Sequence, residues 1–133
     1  MEIKDVVFCN DFVKEINKYV LEKYKNQKAL FIISETDYIL LKNNIVCLKS
    51  EFYKVETVKV SGHCRNNDVN YKLIKQYILD DVKLLIVFGN IKTCEVCKQL
   101  AGDCNLNLII IPADISGGYN LSYINYYGES FIY

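Results

Sequence analysis

The sequence predicts an α/β domain in which a mostly parallel sheet is covered by helices on both faces. Three observations predict it. Short apolar runs, Ala29–Ser34, Lys83–Phe88 and Asn107–Ile111, are nearly continuous in Ile, Val, Leu and Phe, the pattern of strands buried on both faces. Stretches with apolar residues gathered on one helical face lie between them. The two kinds of segment alternate, which implies βαβ units with right-handed crossovers. At 133 residues the chain has the size of one domain with its own core, and 1–133 is read as a single domain.

A short strand, Asp5–Phe8, opens the order of elements. Asp11–Lys25 follows as a helix with Phe12, Ile16, Tyr19, Val20 and Tyr24 on one face and Asn10 or Asp11 as its N-cap. Ala29–Ser34 is the first central strand. Thr36–Leu48 is less regular: Thr36 is placed to cap a helix, Ile39 and Leu40 share a face, and Asn43–Asn44 are expected to break it. Val55–Val60 alternates apolar and polar residues, which suits a strand near an edge. Asp68–Leu79 carries the stripe Val69, Leu73, Ile74, Tyr77 and Ile78. After the strand Lys83–Phe88, a last helix runs over Ile91–Asp103 with Asn90 as N-cap and Gly102 near its end. Asn107–Ile111 is the final buried strand, and the single proline, Pro112, follows it directly. The tail Ile115–Tyr133 changes character. Its Gly117–Gly118 pair, the stretch Leu121–Tyr127, a Gly128–Glu129 turn and Ser130–Tyr133 read as a β-hairpin. The whole is a Rossmann-like three-layer sandwich with a mostly parallel sheet and a C-terminal β-hairpin.

Charge and hydropathy narrow the function classes. The 16 basic and 16 acidic residues balance, so the excess of cations expected of a nucleic-acid or anionic-membrane binder is missing. No stretch approaches the ~20 apolar residues of a membrane-spanning helix, and MEIKDVVFCNDF lacks the apolar centre of a signal peptide. The expected location is the cytoplasm, where the six cysteines are reduced thiols.

The cysteines invite a metal or redox reading, because Cys94-x-x-Cys97 has Cys104 beyond it and His63–Cys64 upstream. Helical spacing favours a plainer one. Ile91, Cys94, Cys97, Ala101 and Cys104 share a face, and buried cysteine behaves as a small hydrophobe that packs a helix onto a sheet. His63, the only histidine, follows Gly62 at a strand end without a nucleophile in a recognisable motif, and reads as a surface-loop residue. Tyr119, Tyr123, Tyr126, Tyr127 and Tyr133 cluster in a tail that has no Lys or Arg. That combination favours hairpin packing and a homo-oligomer contact through the Tyr-rich hairpin over base stacking.

Four stretches carry a resemblance. DVVFCNDFVKEINKYV has the form of an opening strand, tight turn and first helix. KALFIISE has the form of a first nucleotide-fold strand ending in an acid. KLLIVFGNIKTCEVCKQLA matches a strand, glycine turn and phosphate-binding helix. NLIIIPADISGGYNLSYINYYGESFIY matches a strand, an Ile-Pro-Thr turn and a hairpin. Together, over nearly the whole chain, they resemble the N-terminal domain of the iron-containing alcohol dehydrogenase superfamily, which includes glycerol and glycerol-1-phosphate dehydrogenases and the related dehydroquinate synthases.

The resemblance implies NAD(P) as cofactor, held through its pyrophosphate by a triple-glycine turn and a helix N-terminus. Here the turn reads Gly89, Asn90, Ile91; only the first glycine survives, and Ile91 is β-branched. Glu35 matches the acid that pairs with the adenosine ribose, while Glu95 and Lys98 match the acid and lysine of the helix. The Ile-Pro-Thr turn has become Ile111-Pro112-Ala113, and Gly118-Tyr119 stands where an Asp-Gly pair is expected. The family's catalytic metal is held mainly by Asp and His side chains of a C-terminal helical domain, which this chain does not include.

The expectation is therefore a non-catalytic or truncated dehydrogenase-like nucleotide-binding domain, with weak NAD(P) binding, no catalytic residue and no metal. Glu35, Gly89, Asn90, Ile91, Pro112, Ala113 and Ser116 form the expected cofactor site. Two alternatives stand beside it. One is part of an NAD-dependent glycerol or glycerol-phosphate dehydrogenase completed by another chain that supplies the missing catalytic domain. The other is a homo-oligomeric protein-interaction module. Neither nucleic acid nor membrane is an expected partner.

Overall fold

The structure, a computed structural model, describes residues 3–8, 28–49, 54–61, 67–89, 91–112 and 123–127. In chain order the elements are β1 (Ile3–Phe8), β2 (Lys28–Ser34), α1 (Glu35–Lys49), β3 (Lys54–Val60), α2 (Asn67–Lys75), β4 (Val82–Gly89), α3 (Ile91–Cys104), β5 (Asn107–Pro112) and β6 (Tyr123–Tyr127). The predicted helix Asp11–Lys25 lies outside the described residues, as does His63.

Continuous apolar runs build the centre of the sheet. Its order is β1-β6-β5-β4-β2-β3. β2, β3, β4 and β5 are mutually parallel, and β6 runs antiparallel between β5 and β1. In β2, Ala29 to Ile33 are wholly buried, as are Leu84 to Phe88 in β4, so both faces of these strands are covered. β3 is the outer strand, as its alternating pattern implies.

Register divides the side chains into two faces. Leu30, Leu85 and Leu108 are aligned across the sheet, and so are Ile32, Val58, Val87 and Ile110. This face packs on Ile74 of α2 and on Val96, Cys97, Leu100 and Ala101 of α3. Phe31, Ile86 and Ile109 are aligned on the other face, where Phe31 meets Phe88 edge to face at 6.1 Å between ring centroids. Lys59 shares that second face through its pairing with Ile33, and its ammonium lies 3.9 Å from the ring centre of Tyr38 in α1. Hence α1 covers one face and α2 with α3 the other, which makes the layered sandwich.

Several expectations are corrected in detail. Thr36 does not cap α1; Ser34 does, through a hydroxyl that accepts from the Asp37 N–H at 3.2 Å. Asn43–Asn44 do not break the helix, which continues to Lys49. Leu41 and Ile45, one turn apart, are both buried, and this packing outweighs the weak preference of Asn against helix. The helix expected over Asp68–Leu79 ends at Lys75 and tightens into a turn, with Tyr77 N–H bonded to Ile74 O at 3.0 Å and Ile78 N–H to Lys75 O at 3.1 Å. Its inward face is also rotated. Val69 is exposed and Asn70 is buried, because the Asn70 amide donates to the Ser61 carbonyl at 3.1 Å.

Gly102 lies near the end of α3, two residues before its last residue, Cys104. Asn105 terminates the helix in the left-handed conformation at φ 55, with Leu106 N–H returning to Ala101 O at 2.8 Å and Leu106 buried in the core. This is the hydrogen bond of a Schellman cap with its hydrophobic contact, and Asn tolerates the backbone better than most residues. Finally, Tyr123–Tyr127 is an interior strand rather than an exposed edge. Its register sets Asn125 to Tyr127 between β1 and β5. Ser130–Tyr133 lie outside the described residues.

Candidate functional site

Strand order creates the candidate site. From β2 the chain passes through α1 to β3 on one side, then returns through α2 to β4 on the other side of β2, and continues outward through α3 to β5. The direction of building thus reverses between β2 and β4, and α1 and α3 leave these neighbouring strands on opposite faces. In open α/β sheets the crevice beyond the carboxyl ends of such strands is where ligands are received.

The residues at that crest follow from the register. Ile33 pairs with Phe88, Phe88 with Ile111, and Gly89 with Pro112, so the ends of β2, β4 and β5 are level. Glu35 is the first residue of α1 and is exposed. Gly89 is the last residue of β4, is buried, and has φ 139, a conformation that L side chains rarely adopt. Ile91 is the first residue of α3 and is 77% exposed. The structure therefore brings Glu35, Gly89, Ile91 and the backbone of Pro112 to one crest. Asn90, Ala113 and Ser116 lie outside the described residues.

The two helix starts differ in charge. α1 opens with Glu35 and Asp37 in its first turn, which compensate the positive end of its own dipole. α3 opens with no acid in its first turn, and Lys92 there is exposed. An anion at the crest is therefore favoured at the start of α3 rather than α1. Ile91 opposes close approach, since its branched side chain stands in solvent at that same start.

The cysteine face of α3 is a packing face. Cys94, Cys97 and Ala101 are buried, together with Thr93, Val96 and Leu100. Ile91 departs from the expected face and is exposed. Burial pushes the Cys94 thiol up to about 11, with Lys98 pulling the other way, and pushes Cys97 well above the usual thiol range. Burial therefore disfavours the thiolate form of both side chains. Among the described residues no group of three or more His, Cys, Asp and Glu is arranged to hold a metal ion. No helix among them is long and apolar enough to cross a membrane.

Sequence reasoning missed two features of the crest. The pair Ser34 and Asp37 was visible as Ser-Glu-Thr-Asp, the spacing of a capping box. The contact from Cys94 Sγ to Gly89 O, at 3.6 Å, has no sequence signature.

A Rossmann-like α/β domain is thus the class that this sheet and its crest define. Its likeness to known structures includes glycerol dehydrogenase from Schizosaccharomyces pombe, at a TM-score of 0.61 and 22% identity over 84% of this chain. The chain spans 30% of the length of that protein, and the likeness is one of fold. No protein-family model matches the chain, and no curated protein matches it.

Proposed function

We propose that this chain is a dehydrogenase-like domain, derived from the iron-containing alcohol dehydrogenase superfamily, that binds NAD(P) weakly and carries no catalytic residue or metal of its own. One observation carries the reading: Glu35, Gly89 and the acid-free start of α3 meet at the reversal point of a parallel sheet. The start of α3 would receive the pyrophosphate, with Gly89 giving close approach and Asn90, Pro112, Ala113 and Ser116 around it. Glu35 would accept from the adenosine ribose. Hydride transfer would be the chemistry of the bound nicotinamide. Ile91 at 77% exposure is the reason for weak binding, since a pyrophosphate must pass it to reach the helix.

An NMR titration of the labelled chain with NAD, NADH, NADP and NADPH tests this. The expected result is shifts confined to Glu35, Gly89–Cys94 and Pro112–Gly118. Unmoved spectra at millimolar ligand overturn it.

The likeness of fold to glycerol dehydrogenase supports one further reading, that the domain works as part of an NAD-dependent glycerol or glycerol-phosphate dehydrogenase completed by a second polypeptide. A neighbouring reading frame encoding a helical segment with Asp and His ligands would supply the partner, and co-expression yielding no complex removes the idea. Self-association through the Tyr-rich tail is a separate proposal, which a purely monomeric mass in solution eliminates.

A further inference from the structure

Gly89 ends β4 at φ 139, where no side chain of its own fixes the peptide that follows. A side chain of α3 bears on which way its carbonyl turns. The Cys94 thiol lies 3.6 Å from the Gly89 oxygen. Cys94 belongs to the core cluster with Leu85, Val87, Val96 and Cys97, so the carbonyl faces the buried junction of helix and sheet. Turned the other way, the oxygen would set the negative end of a dipole at the crest, against any anion approaching the start of α3.

We propose that Cys94 is a positioning residue whose S–H holds the Gly89 carbonyl inward and keeps that acceptor out of the anion path. Its consequence for ligand rests on the nucleotide reading above; the peptide orientation does not. Two features support the role. Burial keeps the thiol protonated, with its titration moved up to about 11, so it remains a donor throughout the neutral range. And α3 offers no acid in its first turn, so the orientation of this carbonyl decides much of the local field.

The test uses the ¹³C,¹⁵N-labelled full chain as wild type, Cys94→Ala and Cys94→Ser. It reads the Gly89 carbonyl ¹³C resonance without ligand, then titrates NAD and inorganic pyrophosphate. Loss of the donor in Cys94→Ala should move the Gly89 carbonyl upfield while the Leu100 carbonyl stays in place. It should also weaken pyrophosphate binding about fivefold, the worth of one ordinary hydrogen bond. Cys94→Ser, which keeps a donor, should restore both. An unmoved Gly89 carbonyl in Cys94→Ala overturns the proposal, and so does a Cys94→Ser variant that behaves like Cys94→Ala. A wild type that binds neither probe overturns the nucleotide reading instead, and the two failures are distinct because the carbonyl is read without ligand.

Discussion

Ser34 and Asp37 cap each other across the first turn of α1: the Ser34 hydroxyl donates to the Asp37 carboxylate at 2.9 Å and accepts the Asp37 backbone N–H at 3.2 Å. Ser34 is buried at the end of β2, so one side chain both closes the strand and starts the helix. Ser34→Ala leaves that N–H without its acceptor and should lower stability by about 1 kcal/mol. A shift of the urea midpoint with unchanged slope would show it; an unchanged midpoint would mean the cap contributes nothing.

Tyr71 of α2 donates to the Asp103 carboxylate of α3 at 2.6 Å. That hydrogen bond, with lesser help from desolvation and from the negative charge itself, raises the phenol to about 12. Its proton is therefore held more tightly in the folded than in the unfolded chain. The resulting stabilisation is complete below the ordinary tyrosine value of 10.0 and is lost as pH rises from there toward 12. Asp103→Asn should bring the Tyr71 titration back toward 10, as followed by tyrosinate absorbance with Tyr71→Phe as the subtraction. An identical titration in both proteins would contradict the assignment.

Thiol reactivity should divide along burial. Cys47 is exposed, whereas Cys94 and Cys97 are buried with thiol titrations raised by desolvation. A brief iodoacetamide pulse at pH 8, mapped by mass spectrometry, should label Cys47 and spare the other two until denaturant is added. Prompt labelling of Cys97 in the native chain would contradict the packing of α3.

Ile91 sets two quantities in opposition. Ile91→Gly removes the exposed branched side chain from the start of α3 and should tighten NAD binding by about 1 kcal/mol, or fivefold. It should also cost up to ~1 kcal/mol of stability through backbone entropy. Calorimetric titration alongside thermal melting reads both; weaker NAD binding in the glycine variant would refute the role assigned to Ile91.

What the sequence made legible was whatever a single period encodes. The runs Leu84–Phe88 and Leu108–Ile111 announced doubly covered strands, and the alternation of Val55–Val60 announced an outer one. Terminations were harder. Asn105 ends α3 by adopting a left-handed backbone, and that choice depends on Leu106 finding the core, a tertiary event. Asn70 was unreadable as an inward residue because its partner is a backbone carbonyl at Ser61, which carries no side-chain signal. At the crest, Glu35 and Gly89 were singled out through resemblance, whereas the contact between Cys94 and the Gly89 carbonyl is tertiary and spacing does not encode it.

The pairing of Ile3 with Tyr127 has a kinetic corollary. The parallel core from β2 to β5 is assembled within residues 28–112, through loops of modest length. β1 must wait for β6, its partner in the sheet, which is made near the other end of the sequence. Pairings of such high sequence separation are closed late, after the local ones have fixed the scaffold. Ile3–Phe8 is therefore expected to join the sheet after the parallel strands have paired.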